Sequence, residues 1–196
     1  MFFIFSYYWG CETYGIKPDM ITCAKGLSSA YLPISALLVS DGIYQAMKDG
    51  SDKVGIFGHG YTYSGHPTCA AVALETLNQY EELNTLDNIK AVAPILQNGL
   101  RELKNHPLVG DVRGVGLMAC VELVKDKETK EGFDPSLMMG RKVEDAALSH
   151  GLILRGLGNN LVFAPPFIVS KIEVEKIVEI AGLALDEALN WYNTNN

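Results

Sequence analysis

The stretch PDMITCAKGL, Pro18–Leu27, combines a run of mostly apolar residues with a single lysine that stands directly before a glycine. Such a run predicts a mostly buried β-strand that ends at Lys25. Burial disfavours an ammonium group and lowers the pKa of a lysine, so that part of it becomes the neutral amine that attacks a carbonyl. The alternative is an ordinary strand-end lysine whose stem follows apolar surface out to water.

The chain around this stretch has the composition of a globular protein. It contains 196 residues, of which 48% are hydrophobic and 20% are charged, enough for one good-sized domain or two small ones. The formal net charge of -7 and the lack of a basic, aromatic-rich cluster argue against a nucleic-acid surface. Four scattered cysteines without a CxxC pair indicate a reducing compartment. Without a recognisable leader or membrane-spanning segment, we expect a cytoplasmic protein.

Residues 1–84 predict the end of an α/β domain. Two strands, over 19–24 and 34–40, flank the loop that begins at Lys25. A short helix that ends at Gly50 follows, then a glycine-rich loop, then a helix that starts at Pro67. The apolar spacing predicts that one stripe of this last helix is buried. The stripe consists of Ala70, Leu74, Leu77 and Tyr80.

The remainder of the chain predicts a second part. Residues 85–106 read as a connecting helix, capped by Asp87 and kinked or broken at Pro94. Residues 107–196 alternate strands with two helices, the last of which begins with an S-x-x-E capping box at Ser170. The predicted fold is therefore α/β, followed by a small α+β C-terminal domain.

Two patterns resemble known sites but lack their context. RGVGLMA, residues 113–119, formally satisfies a dinucleotide-binding fingerprint. Its β-rich continuation favours a turn between strands over a nucleotide-binding oxidoreductase, because that fingerprint must open a helix. His59, His66 and Cys69 do not have the spacing of metal ligands, so no metal is predicted.

Two other patterns suit the binding of anions. HGYTYSGHP, residues 59–67, places hydroxyl groups, among them that of Thr62, between glycines and before a helix. Such a loop suits a phosphate, or else it is a plain turn. Arg155 ends an apolar run, and its guanidinium either pairs with a structural carboxylate or holds a substrate carboxylate by two parallel hydrogen bonds. The flanking Gly156 and Gly158 would allow it to move.

Taken together, four ordered segments resemble the class III aminotransferases, which are pyridoxal-phosphate enzymes of fold type I, and within them the ω-amino acid or amine:pyruvate branch. The segments are WGCETYGIKPDMITCAKGL, HGYTYSGHPTCAAVALETL, HPLVGDVRGVGLMACVELV and NNLVFAPPF. The resemblance covers nearly everything from Trp9 onward. It implies a transaminase that moves an amino group from an amine or ω-amino acid to a keto acid such as pyruvate.

The resemblance also implies roles for individual residues. Lys25 aligns with the lysine that holds pyridoxal phosphate as a Schiff base and moves the substrate proton. Thr62 aligns with the threonine that donates a hydrogen bond to the cofactor phosphate of the neighbouring subunit, and Tyr61 beside it is assigned to cofactor binding. Arg155 aligns with the mobile arginine that binds the carboxylate of pyruvate or an amino acid. The expected assembly is a homodimer with shared active sites.

Part of the family's site has no counterpart in this sequence. Family members are much longer, and the segments that supply the phosphate-cradling Gly-Ser, the stacking aromatic and the aspartate that pairs the pyridine nitrogen are not matched. MFFIFSYY, residues 1–8, stands where the family has a G-x-G-R-T-G-like stretch. We therefore expect the chain alone to be inactive, with uncovered strand edges and an exposed apolar face. The alternative is a non-catalytic interaction module that needs a second chain.

Overall fold

The computed structural model describes residues 8–195, which form two compact units, 8–86 and 87–195. Residues 1–7, which belong to the stretch MFFIFSYY, lie outside the described residues. The first unit contains α1 (Gly10–Thr13), β1 (Met20–Ala24), β2 (Ser35–Val39), α2 (Asp41–Val54) and α3 (Pro67–Glu82). α4 (Thr85–Glu102) begins in the first unit and continues into the second.

The second unit is built on one antiparallel sheet. Its strands are β3 (Val109–Val115), β4 (Met118–Leu123), β5 (Arg155–Leu157) and β6 (Asn160–Phe163), in the spatial order β3-β4-β6-β5. Its further helices are α5 (Met139–Ser149) and α6 (Lys171–Asn195). Short 3₁₀ turns lie at Lys25–Leu27, Leu103–Asn105 and Pro135–Leu137. No helix in the described range is long and apolar enough to cross a membrane.

β1 and β2 are joined by the loop that begins at Lys25, as predicted. The two strands pair as an antiparallel two-stranded ribbon. The prediction of a mostly buried strand is wrong, because in β1 only Cys23 is buried and Met20 is 56% exposed. A ribbon of two strands can bury a face only against a further packed layer. Residues 8–86 do not provide that layer for β1, whose burial is confined to one residue.

Two helices begin or end elsewhere than predicted. α2 continues through Gly50 and ends before Gly55, whose φ of 76° gives the left-handed conformation typical of a C-cap. α4 begins at Thr85 rather than at Asp87 and runs through Pro94 without a break. Asp87 lies in the first turn, where a negative charge is favourable next to the free N–H groups of the helix.

α3 has Pro67 in its first turn, as predicted, but its buried stripe differs from the prediction. The buried residues are Ala73, Thr76 and Tyr80, whereas Leu74 is 62% exposed. Spacings of three and four still define one helix face. α3 packs against the Lys25–Leu27 turn. The face with Ala73, Thr76 and Tyr80 is therefore covered, and Leu74 is exposed.

The main hydrophobic core of the described residues lies in the second unit. Its large, fully buried side chains are Ile89, Leu96, Leu100, Leu117, Leu123, Met139, Leu161 and Leu185. α6 starts with the predicted capping box: Ser170 N donates to Glu173 Oε2 at 2.7 Å, and Glu173 N donates to Ser170 Oγ at 3.3 Å. Two N–H groups at the start of the helix are thereby satisfied.

The glycine-rich segment 113–119 forms a β-hairpin, which confirms the interpretation as a turn between strands. Gly114 pairs with Ala119 across β3 and β4, and Gly116 has a φ of 60° in the turn. A dinucleotide site requires a helix directly after its glycines, and here a second strand follows. The segment therefore offers no basis for a nucleotide-binding oxidoreductase.

Candidate active site

Lys25 occupies a strained turn directly after β1. Its φ is 56°, in the left-handed region that costs a residue with a Cβ about 1–2 kcal/mol. Ser29 and Ala30 in the same loop have φ values of 46° and 63°. Strain of this kind is maintained by surrounding contacts and clusters at functional sites, so the turn is a candidate on its geometry alone.

A tyrosine of α3 contacts this turn. The Tyr80 hydroxyl donates to Gly26 O at 2.8 Å and lies 2.7 Å from Ser29 Oγ. The apolar spacing predicts a buried Tyr80 but gives no signal for these contacts, because they join residues more than 50 positions apart in the sequence. The turn that carries Lys25 is therefore attached to α3 by hydrogen bonds as well as by packing.

The Lys25 side chain is exposed, so the expected burial of the amine is not found within the described residues. Its ammonium has no hydrogen bond or ion pair with any residue of the 8–195 range. The backbone next to it is fixed, since Leu27 and Ser28 are buried and Ser28 Oγ donates to Leu32 O at 2.6 Å. The amine thus stands on an anchored turn with no competing partner among residues 8–195.

Thr62 and Tyr61 lie in an exposed turn that precedes α3. Tyr61 N donates to Ser64 Oγ at 3.2 Å, and Ser64 N donates to Tyr61 O at 2.9 Å, which closes the turn around Thr62. The Tyr61 ring meets the His59 ring edge-on at a centroid distance of 5.3 Å. The Thr62 hydroxyl has no partner in the described part of the chain, so it is free to donate to an anion.

Lys25 and Thr62 are connected to opposite ends of α3. Tyr80, which contacts the Lys25 turn, lies near the C-terminal end of the helix, whereas Thr62 precedes its first residue, Pro67. From Pro67 to Tyr80 the helix rises about 20 Å, at about 1.5 Å per residue. The contact with the Lys25 turn and the entry of the Thr62 loop therefore lie near opposite ends of one helix.

Arg155 opens β5 and lies on the open face of the sheet. A Cβ on the next residue, Gly156, would lie 2.6 Å from Gly140 O of α5, so that position faces the helix. Neighbouring residues of a strand face opposite ways, and the Arg155 side chain therefore points to the other face. The same row across the sheet contains Val162, Cys120 and Arg113.

The two arginines of this row differ in their partners. Arg113 Nη1 contacts Glu122 Oε2 at 2.5 Å, and this hydrogen bond raises the pKa of Arg113. Arg155 is exposed and forms no ion pair with any residue between 8 and 195. Among those residues, the structural carboxylate that the alternative interpretation of Arg155 requires is not found. Its guanidinium is available to a ligand.

The two glycines that flank Arg155 differ in their surroundings, since Gly156 is closely packed and Gly158 has a φ of 61° and open space where a Cβ would be. A Cβ on Gly156 would lie 2.6 Å from Gly140 O, and a Cβ on Gly140 would collide with Gly158 O. Gly156 N also donates to Glu144 Oε2 of α5 at 3.3 Å. The backbone at Gly156 is thereby held against α5, whereas the side chain of Arg155 is exposed.

The chemistry of the free donors fits pyridoxal phosphate. A primary amine such as that of Lys25 suits an aldehyde, and a free hydroxyl such as that of Thr62 suits a phosphate oxygen. His59, His66 and Cys69 are not brought together as ligands, and no group of three or more His, Cys, Asp or Glu side chains in the described range is placed to hold a metal ion. The four cysteines are free thiols.

Comparison by sequence relates the chain to aminotransferases. The family described as Aminotransferase class-III matches residues 7–185. An uncharacterized aminotransferase of Sinorhizobium fredii is 46% identical over 184 residues, which cover 92% of this chain and 39% of that protein. The chloroplastic gamma aminobutyrate transaminase 3 of Solanum lycopersicum is 39% identical over 181 residues, which cover 92% of this chain and 35% of that protein.

Solved structures with the same fold are also transaminases. A structure described as a transaminase with L-ala has a TM-score of 0.93 at 40% identity. The match covers 97% of this chain and 45% of that one. The omega transaminase of Pseudomonas jessenii in complex with PMP has a TM-score of 0.92 at 39% identity, over 100% of this chain and 43% of that one. The chain spans less than half the length of each of these relatives.

Proposed function

The chain belongs to the class III aminotransferase family, whose members use pyridoxal phosphate, and from this premise we propose that it forms the C-terminal part of a transaminase. The enzyme moves an amino group from an amine or ω-amino acid to a keto acid such as pyruvate. One observation carries the proposal: the strained turn after β1 presents the Lys25 amine without a partner in the described chain.

Lys25 is the catalytic residue of this proposal. Its Nζ would hold the aldehyde carbon of the coenzyme until the amine of the substrate takes its place, and the freed Lys25 amine would then move the proton of the substrate carbon that bears the amino group. Pyridoxal phosphate, when bound, supplies the electron sink for that carbon. The fixed backbone around Leu27 and Ser28 supports the role, because proton transfer requires a defined position of the amine.

Arg155 binds the substrate carboxylate. A planar guanidinium forms two parallel hydrogen bonds with a carboxylate, and its charge is permanent. Its exposure and its lack of an ion pair with residues 8–195 support this role, in contrast to Arg113 on the same row, which pairs with Glu122. An amine substrate without a carboxylate makes no such bonds, so Arg155 distinguishes the two kinds of substrate.

The proposed enzyme is a homodimer with shared active sites. The Lys25 turn contacts α3 at Tyr80, whereas the Thr62 loop leads into the other end of this helix, about 20 Å along its axis, which favours a coenzyme at Lys25 that Thr62 of the same chain does not contact. Thr62 and Tyr61 therefore serve the coenzyme of the partner subunit, where the Thr62 hydroxyl donates to a phosphate oxygen. The other walls of the site come from the part of the longer relatives that this chain does not match.

Reductive trapping tests the proposal. The chain is incubated with pyridoxal phosphate, reduced with borohydride and mapped by peptide mass. We expect the label on Lys25 in excess over the exposed lysines of the same unit, Lys17, Lys48 and Lys53. Lys25→Arg keeps the charge but removes the primary amine, so the excess label disappears while the background label on the other lysines stays.

A second candidate is a non-catalytic module that assembles with another chain. The exposed apolar side chains of the ribbon, such as Met20 at 56% and Leu37 at 58%, favour it because monomeric proteins rarely leave such a patch uncovered. Equal labelling of Lys25 and the other lysines would favour this candidate over the transaminase.

A further inference from the structure

The turn after β1 holds an unusual concentration of left-handed residues. Three of the six non-glycine residues with positive φ in the described chain lie in it, at Lys25, Ser29 and Ala30. Two backbone bonds close the turn, as Ser28 N and Ala30 N donate to Lys25 O at 3.1 Å and 3.3 Å. These distances lie at the long end for N–H···O bonds, so further contacts are needed to maintain the strained backbone.

Tyr80 supplies such a contact from outside the turn. Its hydroxyl donates to Gly26 O at 2.8 Å, and a carbonyl can only accept. Ser29 Oγ lies 2.7 Å from the same hydroxyl, and because the Tyr80 proton is already donated, Ser29 is the donor of this second bond. The hydroxyl therefore bridges the residue after Lys25 and a second left-handed residue. Tyr80 is only 9% exposed, which limits competition from water.

We infer that Tyr80 is a positioning residue for Lys25, whose left-handed backbone it maintains by holding Gly26 and Ser29. This inference rests on the proposed function of Lys25. Tyr80 belongs to the helix that starts just after the Thr62 loop, so one rigid element fixes both the amine and the phosphate-binding loop. A small rotation of the Lys25 backbone would displace the amine at the end of a long side chain, and the contact with Tyr80 prevents it.

Tyr80→Phe removes the hydroxyl and keeps the ring. The first readout is amide hydrogen exchange at Ser28 and Ala30, which we expect to become about tenfold faster, as for a local opening no longer opposed by these hydrogen bonds. The matched control is Tyr44→Phe, which removes a hydroxyl from a side chain of α2 that is 57% exposed. The control should leave both amides unchanged.

The second readout is the ratio of label on Lys25 to label on Lys53 after pyridoxal phosphate and borohydride. We expect Tyr80→Phe to lower this ratio by about the same tenfold factor and Tyr44→Phe to preserve it. Ser29→Ala removes one of the two contacts and should give a smaller decrease. A general loss of stability would in contrast speed amide exchange throughout residues 8–86 and not only at Ser28 and Ala30.

Unchanged exchange at Ser28 and Ala30 in Tyr80→Phe would overturn the inference. Faster exchange with an unchanged label ratio would also overturn it, because the turn would then be loosened without consequence for Lys25. Failure of the proposed function is seen separately, in the unsubstituted chain, as a Lys25 label no stronger than that on Lys53. That result would overturn the role of Tyr80 toward the coenzyme as well.

Discussion

Arg155 and Arg113 share one row of the sheet and one charge, yet only Arg155 lacks an ion pair in the described chain. This difference allows a matched test in the assembled enzyme. We expect Arg155→Ala to lower kcat/KM for pyruvate about a hundredfold, because a bidentate charged contact is lost. The kcat/KM for benzylamine, which has no carboxylate, should change little.

The Arg113→Ala control separates substrate binding from structure. Arg113 pairs with Glu122, so its loss should affect pyruvate and benzylamine equally. The half-reaction with each substrate is followed separately, and for each substrate the rate of the variant is divided by that of the unsubstituted enzyme. Equal losses for both substrates in Arg155→Ala would contradict a role in carboxylate recognition.

His106 makes the stability of the second unit depend on pH. Its ring is 11% exposed, and Nδ1 accepts from Leu108 N at 3.2 Å. Nε2 lies 3.3 Å from Asp186 Oδ1 but has no hydrogen bond, so this contact is electrostatic and weakened by solvent at the exposed carboxylate. Burial therefore outweighs Asp186 and lowers the pKa of His106, and the charge of Lys127 acts in the same direction.

The sign of the pH effect follows from this pKa. The folded chain binds fewer protons at His106 than the unfolded chain, so its contribution to stability is present above about pH 6.5 and is lost as the pH falls through the lowered pKa. We expect the free energy of unfolding, measured in urea, to fall over this acidic range. His106→Asn keeps an acceptor for Leu108 N and should flatten the dependence.

Asp186→Asn provides the converse test of the same pair. Removal of the carboxylate removes the influence that raises the pKa of His106, so the loss of stability toward acid should become steeper. A pH dependence that is the same in the parent, His106→Asn and Asp186→Asn would contradict this account.

At the scale of elements, α6 depends on its capping box. We expect Ser170→Ala to destabilise the second unit by about 1 kcal/mol, because the side chain that accepts from Glu173 N is lost. Ser149→Ala is a suitable control. Ser149 lies at the C-terminal end of α5, where its Oγ donates to Ala146 O and caps no N–H group. Urea unfolding gives both values. A cost at Ser170 no larger than at Ser149 would contradict a capping role.

Helix boundaries show why element prediction succeeds in part. The capping box of α6 lies within four consecutive residues, and local chemistry of this kind can be recognised in the sequence. Gly50 resembles a helix end in the sequence, yet α2 passes through it and uses Gly55. The buried stripe of α3 depends on what packs against that helix, and periodicity alone cannot identify the partner.

At the scale of the whole molecule, the two units differ in their cores. The largest fully buried side chains of the described chain lie at or beyond Ile89, whereas most exposed large apolar side chains lie before Leu86. Local stability follows buried apolar contacts. We therefore expect a brief thermolysin digestion to cut first within 8–86 and to leave a resistant fragment that begins near Asp87, identified by mass spectrometry. First cuts in the polar loop 125–132 would contradict this expectation.

The candidate site was predictable where it rests on residue type. A lysine directly after a strand, a hydroxyl in a glycine-rich loop and an arginine between two strands are visible in the sequence, and the family resemblance gives them roles. The exposure of Lys25 and the close packing of Gly156 against α5 were not predicted. Both depend on which surfaces are packed against the segment, and local sequence does not contain that information.

The sequence by itself determined the family, the order of the helices and strands and the reactive groups, because these depend on residue identity and short-range pattern. The tertiary structure alone decided the left-handed backbone of Lys25, the hydrogen bonds of Tyr80 to its turn and the open face that carries Arg155. These features join residues that are distant in sequence, and only the folded chain brings such residues within hydrogen-bonding and packing distance.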